Sequence, residues 1–128
     1  MKGYFLTLAR IGLFLAFLVV TIGAWVRLTD AGLGCPDWPG CYGQLFVPDS
    51  PIERADALSD FPERPLEVGK AWREMIHRYL ASSLGFLCVL LAGMAWINRH
   101  DPEQPTRLPF VLVGVVIFQG ILGMWTVT

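Results

Sequence analysis

The chain alternates between apolar runs and polar, turn-rich sequence. Ile11 to Val26 carries no charge and is bounded by Arg10 and Arg27. From Leu28 to about Trp72 the pattern breaks: Gly, Pro and Asp cluster in Asp30-Ala31-Gly32-Leu33-Gly34-Cys35-Pro36-Asp37-Trp38-Pro39-Gly40-Cys41, which is loop chemistry. An apolar run resumes near Trp72 and ends at Asn98-Arg99-His100-Asp101-Pro102; Leu108 to Thr128 forms a third. Uncharged stretches of this length indicate membrane-crossing helices. The pattern predicts an all-α integral membrane fold with a first span over about 9–27, a long loop over 28–71 and a second span over about 72–97. A connector over 98–107 and a third span over about 108–128 follow. A short helix is expected across Ile52 to Leu58. The first span is short, about 24 Å over its uncharged part, and suffices if Arg10 and Arg27 snorkel to the two interfaces.

Composition agrees with lipid as the main solvent. Residues are 54% hydrophobic and 16% charged, where soluble domains carry nearer a quarter charged. Net charge is −1, so no basic footprint for nucleic acid is present. The basic start and apolar core resemble a secretory signal, but Trp25-Val26-Arg27 closes the run where a small-residue cleavage site would be needed. Lys2, Arg10, Arg99 and Arg107 flank the spans on one side, and the acidic loop lies on the other. The positive-inside rule makes the N-terminus and the 98–107 connector cytoplasmic, and the Cys35–Cys41 loop extracytoplasmic. Trp25, Trp72 and Trp96 fall at span ends, as an interfacial aromatic belt requires.

The chemistry concentrates where the loop turns into the second span, at Glu74-Met75-Ile76-His77-Arg78. Ionisable groups at membrane depth are costly, so they mark candidate sites. Glu74, His77 and Arg78 share one broad helix face. Ala81, Gly85, Cys88, Ala92 and Ala95 fall within about 80° of His77 on the wheel. That arrangement suggests a shallow small-residue channel in which a flat macrocycle could lie with its metal at His77, an imidazole axial ligand. Glu74 could orient the ring or handle protons. Arg27 and Arg78, at the outer ends of their helices, suit ligand carboxylates such as haem propionates. The competing reading is close helix packing with an interfacial Glu74–Arg78 pair. The amide and glycines of Gln119-Gly120-Ile121-Leu122-Gly123 invite a close neighbouring helix. Cys88 reads as a small buried hydrophobe and His100 as solvated. For Cys35 and Cys41, facing an oxidising compartment, a structural disulfide is the first choice. A redox-active pair remains open, and zinc lacks further ligands nearby.

Arg27-Leu28-Thr29-Asp30-Ala31-Gly32-Leu33-Gly34-Cys35-Pro36-Asp37-Trp38-Pro39-Gly40-Cys41-Tyr42-Gly43, then Glu74-Met75-Ile76-His77-Arg78-Tyr79, then Gln119-Gly120-Ile121-Leu122-Gly123 resemble the bacterial haem A synthase family. The resemblance implies a multi-pass enzyme of the bacterial inner membrane that oxidises a ring methyl of haem O to formyl, through successive hydroxylations, giving haem A for terminal oxidases. It implies eight spans in two similar four-helix halves, each with a histidine pair. His77 resembles the first histidine of the N-terminal pair, which holds the haem substrate. Glu74 and Arg78 match the acid and base beside it, with Glu74 the catalytic candidate, and Cys35 and Cys41 resemble a disulfide-forming loop pair. A haem b cofactor is expected in the C-terminal half, and haem O synthase and oxidase assembly factors are expected partners. Only three spans of a four-helix half are present, and Thr128 falls within an apolar run, so a piece of a longer enzyme is expected, inactive alone. The alternative is a cytochrome b-type electron-transfer membrane protein; a purely structural or assembly role is the third reading.

Overall fold

The computed structural model describes residues 2–128. Four helices follow one another: α1 (Lys2–Leu28), α2 (Pro51–Asp60), α3 (Val68–Ile97) and α4 (Arg107–Val127). Among the described residues there is no strand, only an isolated bridge between Cys41 and Gln44. Helices α1, α3 and α4 are long and apolar enough to cross a membrane. The protein is therefore an all-α membrane protein. Helix α1 begins at Lys2, ahead of the entry expected near residue 9, and α3 begins at Val68 inside the expected loop.

Helix α3 is the centre: α1 and α4 each pack against it and not against each other. The α1–α3 seam is antiparallel. Phe5 clusters with Leu91 and Ala95, Gly12 meets Leu87, and Gly23 meets His77. Small residues let the two backbones approach without loss of packing, which is how helices associate in lipid. Close to Gly12, a Cβ would come within 3.2 Å of the Leu87 side chain. At the connector end Trp96 and Phe110 meet edge to face at 6.1 Å, tying α3 to α4 across their turn. Lys2 pairs with Asp101 at 3.6 Å and with Glu103, holding the start of α1 to the same connector. The outward surfaces of α1 and α4 remain apolar, with Phe14, Phe17, Val115, Phe118 and Leu122 exposed. That surface suits acyl chains. Within α1 the hydroxyls of Thr7 and Thr21 donate to the Gly3 and Phe17 carbonyls, so they bring no unsatisfied donor into lipid.

Residues 29–67 fold into a cap over the end of the helices opposite the 98–107 connector. Cys35, Cys41, Tyr42, Val47 and Ala57 form a buried cluster with Ala71 and Met75 of α3. Tyr42 meets Phe61 edge to face at 5.5 Å and donates its hydroxyl to the Arg64 carbonyl at 3.1 Å. Burial pushes the Tyr42 phenol above its ordinary pKa, which keeps it protonated as a donor. Tyr42 and Gly43 both take positive φ, 52° and 76°. Asp37 stabilises that turn, accepting from the Tyr42 and Gly43 amides at 2.6 and 2.8 Å. Helix α2 is started by a capping box: Glu53 N–H donates to the Ser50 hydroxyl while the Glu53 carboxylate accepts from the Ser50 amide.

Candidate functional site

Because α1 and α4 flank α3 without touching, a cleft opens between them at the cap end. Its volume is about 920 Å³, at the upper end for pockets that take drug-sized ligands and cofactors. The wall from α1 includes Val19, Gly23 and Arg27; that from α3 includes Glu74, His77, Arg78, Ala81 and Gly85. Helix α4 contributes Val116, Gln119, Gly120 and Gly123, and Trp38 and Pro39 of the cap line the cleft as well.

The candidate residues Glu74, His77, Arg78 and Arg27 thus line one cavity. His77 lies against Gly23, where an added Cβ would fall 2.9 Å from the ring. The Nδ1 atom is buried and has no hydrogen-bond partner among the described residues. A buried ring nitrogen left unpaired is unusual in a folded interior. Arg27, exposed at the cleft edge, makes no side-chain hydrogen bond or ion pair among the described residues.

Glu74 and Arg78 are differently placed. Glu74 is buried, 5% exposed. One of its carboxylate oxygens accepts from the Cys35 amide at 3.0 Å, and the other accepts from Arg78. Arg78 also donates to the carbonyls of Asp37 at 2.8 Å and Gly40 at 2.6 Å. The pair therefore fastens the loop to α3 while facing the cleft. The sulfurs of Cys35 and Cys41, which that loop carries, are 2.11 Å apart, with Cα atoms 4.9 Å apart.

Two sequence expectations are corrected. The small-residue channel is open only at its outer part, Ala81 and Gly85. Cys88, Ala92 and Ala95 are buried, Ala95 in the seam where Phe5 of α1 packs. Gly120 and Gly123 have no atom near enough to contact an added Cβ among the described residues, so they face the cleft rather than a close helix. His100 lies on the connector, at the opposite end of α3. Sequence reasoning missed Gly23 and Trp38. Gly12 and Gly23, eleven residues apart, lie within about 20° of each other on a wheel, a signal for the α1 seam. Trp38 had no signal beyond its place in a stiff turn.

The structure thus defines an all-α membrane protein with a cleft between its membrane-length helices, an imidazole in the cleft wall and an arginine at its edge. The chain matches, over residues 7–128, the model of the COX15-CtaA family of cytochrome oxidase assembly proteins. It belongs to that family. It is 50% identical over 122 residues to the haem A synthase of Shewanella oneidensis, covering 94% of this chain and 36% of that protein. The haem A synthase of Shouchella clausii is 37% identical over 109 residues, covering 83% of this chain and 30% of that protein. That of Agrobacterium fabrum is 30% identical over 132 residues, covering 93% and 36%. The chain spans about a third of the length of these curated relatives. No solved structure matches it.

Proposed function

We propose that this chain is the substrate-holding N-terminal portion of a haem A synthase, an enzyme of the bacterial inner membrane that oxidises a ring methyl of haem O to formyl. The observation that carries the reading is the His77 imidazole, set in the wall of the cleft with its Nδ1 unpartnered. Relatives bearing the name haem A synthase support it.

In this reading the macrocycle lies between α1, α3 and α4 with its iron at His77. The small residues Ala81, Gly85 and Gly120 in the cleft wall leave room for a flat ring. The propionates point outward to Arg27, whose guanidinium is uncommitted and matches carboxylates through paired hydrogen bonds. Arg78 lies beside them with part of its donor set already engaged by the loop. Glu74 is the buried carboxylate among the cleft residues, suited to accept or return a proton as the methyl group is oxidised.

The haem b cofactor implied by the family resemblance would need a histidine pair. Among the described residues His77 is the one imidazole in the cleft, and His100 lies at the other end of α3. These residues fit a single axial ligand, so haem b belongs in this reading to the second half of the enzyme. The acidic loop is periplasmic and the N-terminus cytoplasmic, supported by the Lys2, Arg10, Arg99 and Arg107 distribution. Cys35 and Cys41 form a structural disulfide there, supported by their pairing in the buried cap cluster and by the oxidising compartment; alkylation without a reductant should label neither.

Extraction of bound porphyrins from a full-length protein carrying this segment tests the function. Haem O, its hydroxylated form or haem A is expected. Protohaem alone would identify a cytochrome b-type electron carrier, and no porphyrin at all a structural or assembly role.

A further inference from the structure

Trp38 stands between Cys35 and Cys41 and lines the outer end of the His77 cleft, with its surface 43% exposed. At the two ends of this turn the chain faces inward: Cys35, Cys41 and Tyr42 are buried in the cap cluster. An indole facing a ligand cleft from such a packed loop has been left free to meet something.

The loop is fixed from α3 by buried charge. Arg78 donates to the carbonyls of Asp37 and Gly40, the residues on either side of Trp38 and Pro39. Glu74 holds the Cys35 amide at 3.0 Å and pairs with Arg78, so one guanidinium and one carboxylate fix three backbone points of the loop. A carboxylate and a guanidinium taken this far out of water give little net stability, because desolvation offsets their attraction. What they do supply is a single geometry for the backbone they hold.

Resting on the haem O reading above, we propose that Trp38 is a substrate-contacting residue, its indole laid against the macrocycle, and that Glu74 and Arg78 are positioning residues that hold it over the cleft. Indole offers a broad apolar face at low conformational cost and stacks on flat π-systems. The contact is made to bound haem O and to its oxidised forms alike, so its loss raises KM and leaves kcat nearly unchanged. Glu74 acts on KM only through Trp38. This holding role is separate from any proton transfer by Glu74, which would appear in kcat.

The test uses a full-length protein carrying this segment in membranes, with haem O supplied over a concentration series. Trp38→Ala should raise KM roughly tenfold, the loss of one buried aromatic contact, and Trp38→Phe should fall between it and the parent. Glu74→Gln should also raise KM and should speed amide exchange in the peptide covering residues 35–41. In the double variant Trp38→Ala/Glu74→Gln, KM should be no higher than in Trp38→Ala alone, because the two act through one contact. If Glu74→Gln fails to fold, Arg78→Lys replaces it, since one ammonium cannot hold the two carbonyls and the Glu74 carboxylate as the two guanidinium nitrogens do. Unchanged KM in Trp38→Ala overturns the proposal, as do multiplicative KM effects in the double variant. A parent protein that converts no haem O overturns the functional reading itself, while faster loop exchange in Glu74→Gln would still report the latch.

Discussion

Gly23 of α1 and His77 of α3 touch so closely that a Cβ on residue 23 would lie 2.9 Å from the imidazole Cε1 and 3.4 Å from Nδ1. Real Cβ atoms do not approach that near, so Gly23→Ala must swing the ring or part the helices. Overpacking of this kind costs about 1–3 kcal/mol, and here it falls on the residue assigned to iron. Gly23→Ala should lower the porphyrin bound per protein severalfold. Gly93→Ala, on the same helix as His77 but with open space around it, should leave porphyrin content unchanged. Equal content in both variants, by absorbance of purified protein, would show that the contact does not set the ring.

Removing Arg78 strips a buried carboxylate of its partner and leaves the Asp37 and Gly40 carbonyls without their donor. Breaking a buried pair in this way costs about 3–5 kcal/mol. Arg78→Ala should lower the unfolding temperature in detergent and open the cap to protease. Arg54→Ala, whose 3.3 Å pair with Asp49 lies in solvent, should do neither.

Gly34 sits against the first turns of α3, where an added Cβ would meet the Lys70 carbonyl carbon at 2.6 Å and the Ala71 nitrogen at 2.8 Å. Both are helix backbone and cannot yield. Gly34→Ala should therefore lift the loop from α3 and lengthen the Cys35–Glu74 hydrogen bond. Faster amide exchange across residues 35–41 checks it, and Gly32→Ala, with nothing near its added Cβ, serves as the control.

The start of α2 should be acid-sensitive. The Asp49 and Ser50 amides donate to the Glu53 carboxylate and hold its pKa below the ordinary 4.5. A carboxyl whose folded pKa is depressed contributes stability that is present above the unfolded pKa and lost as pH falls through the folded one. Amide protection factors in residues 50–60, corrected for the intrinsic exchange rate at each pH, should thus fall on acidification below about pH 4.5. Glu53→Gln should flatten that dependence. Ser50→Ala, which removes the other half of the box, should destabilise the helix by about 1 kcal/mol at any pH.

Much of this was legible in the chain, and the rest fails for identifiable reasons. Charge-free runs and the Gly-Pro-Asp cluster after Leu28 predict three long helices and an outer loop, and the short helix expected at Ile52 to Leu58 is α2, Pro51–Asp60. A helical wheel also places His77 with Ala81 and Gly85 correctly. It cannot say which neighbour covers a face, so Cys88, Ala92 and Ala95 read as channel although they are buried against other side chains. The spacing of Glu74 and Arg78 reveals their pairing. That the pair also grips the backbone of Cys35, Asp37 and Gly40 depends on a return of the chain over 38 to 41 positions, which no local pattern encodes.

The most direct test of the functional reading is His77→Ala in a full-length protein carrying this segment, with extracted haems separated and quantified in cells that make haem O. Haem O should accumulate and haem A should disappear while the protein remains in the membrane at normal level. Haem A at the parent level would contradict the assignment of this cleft to the substrate.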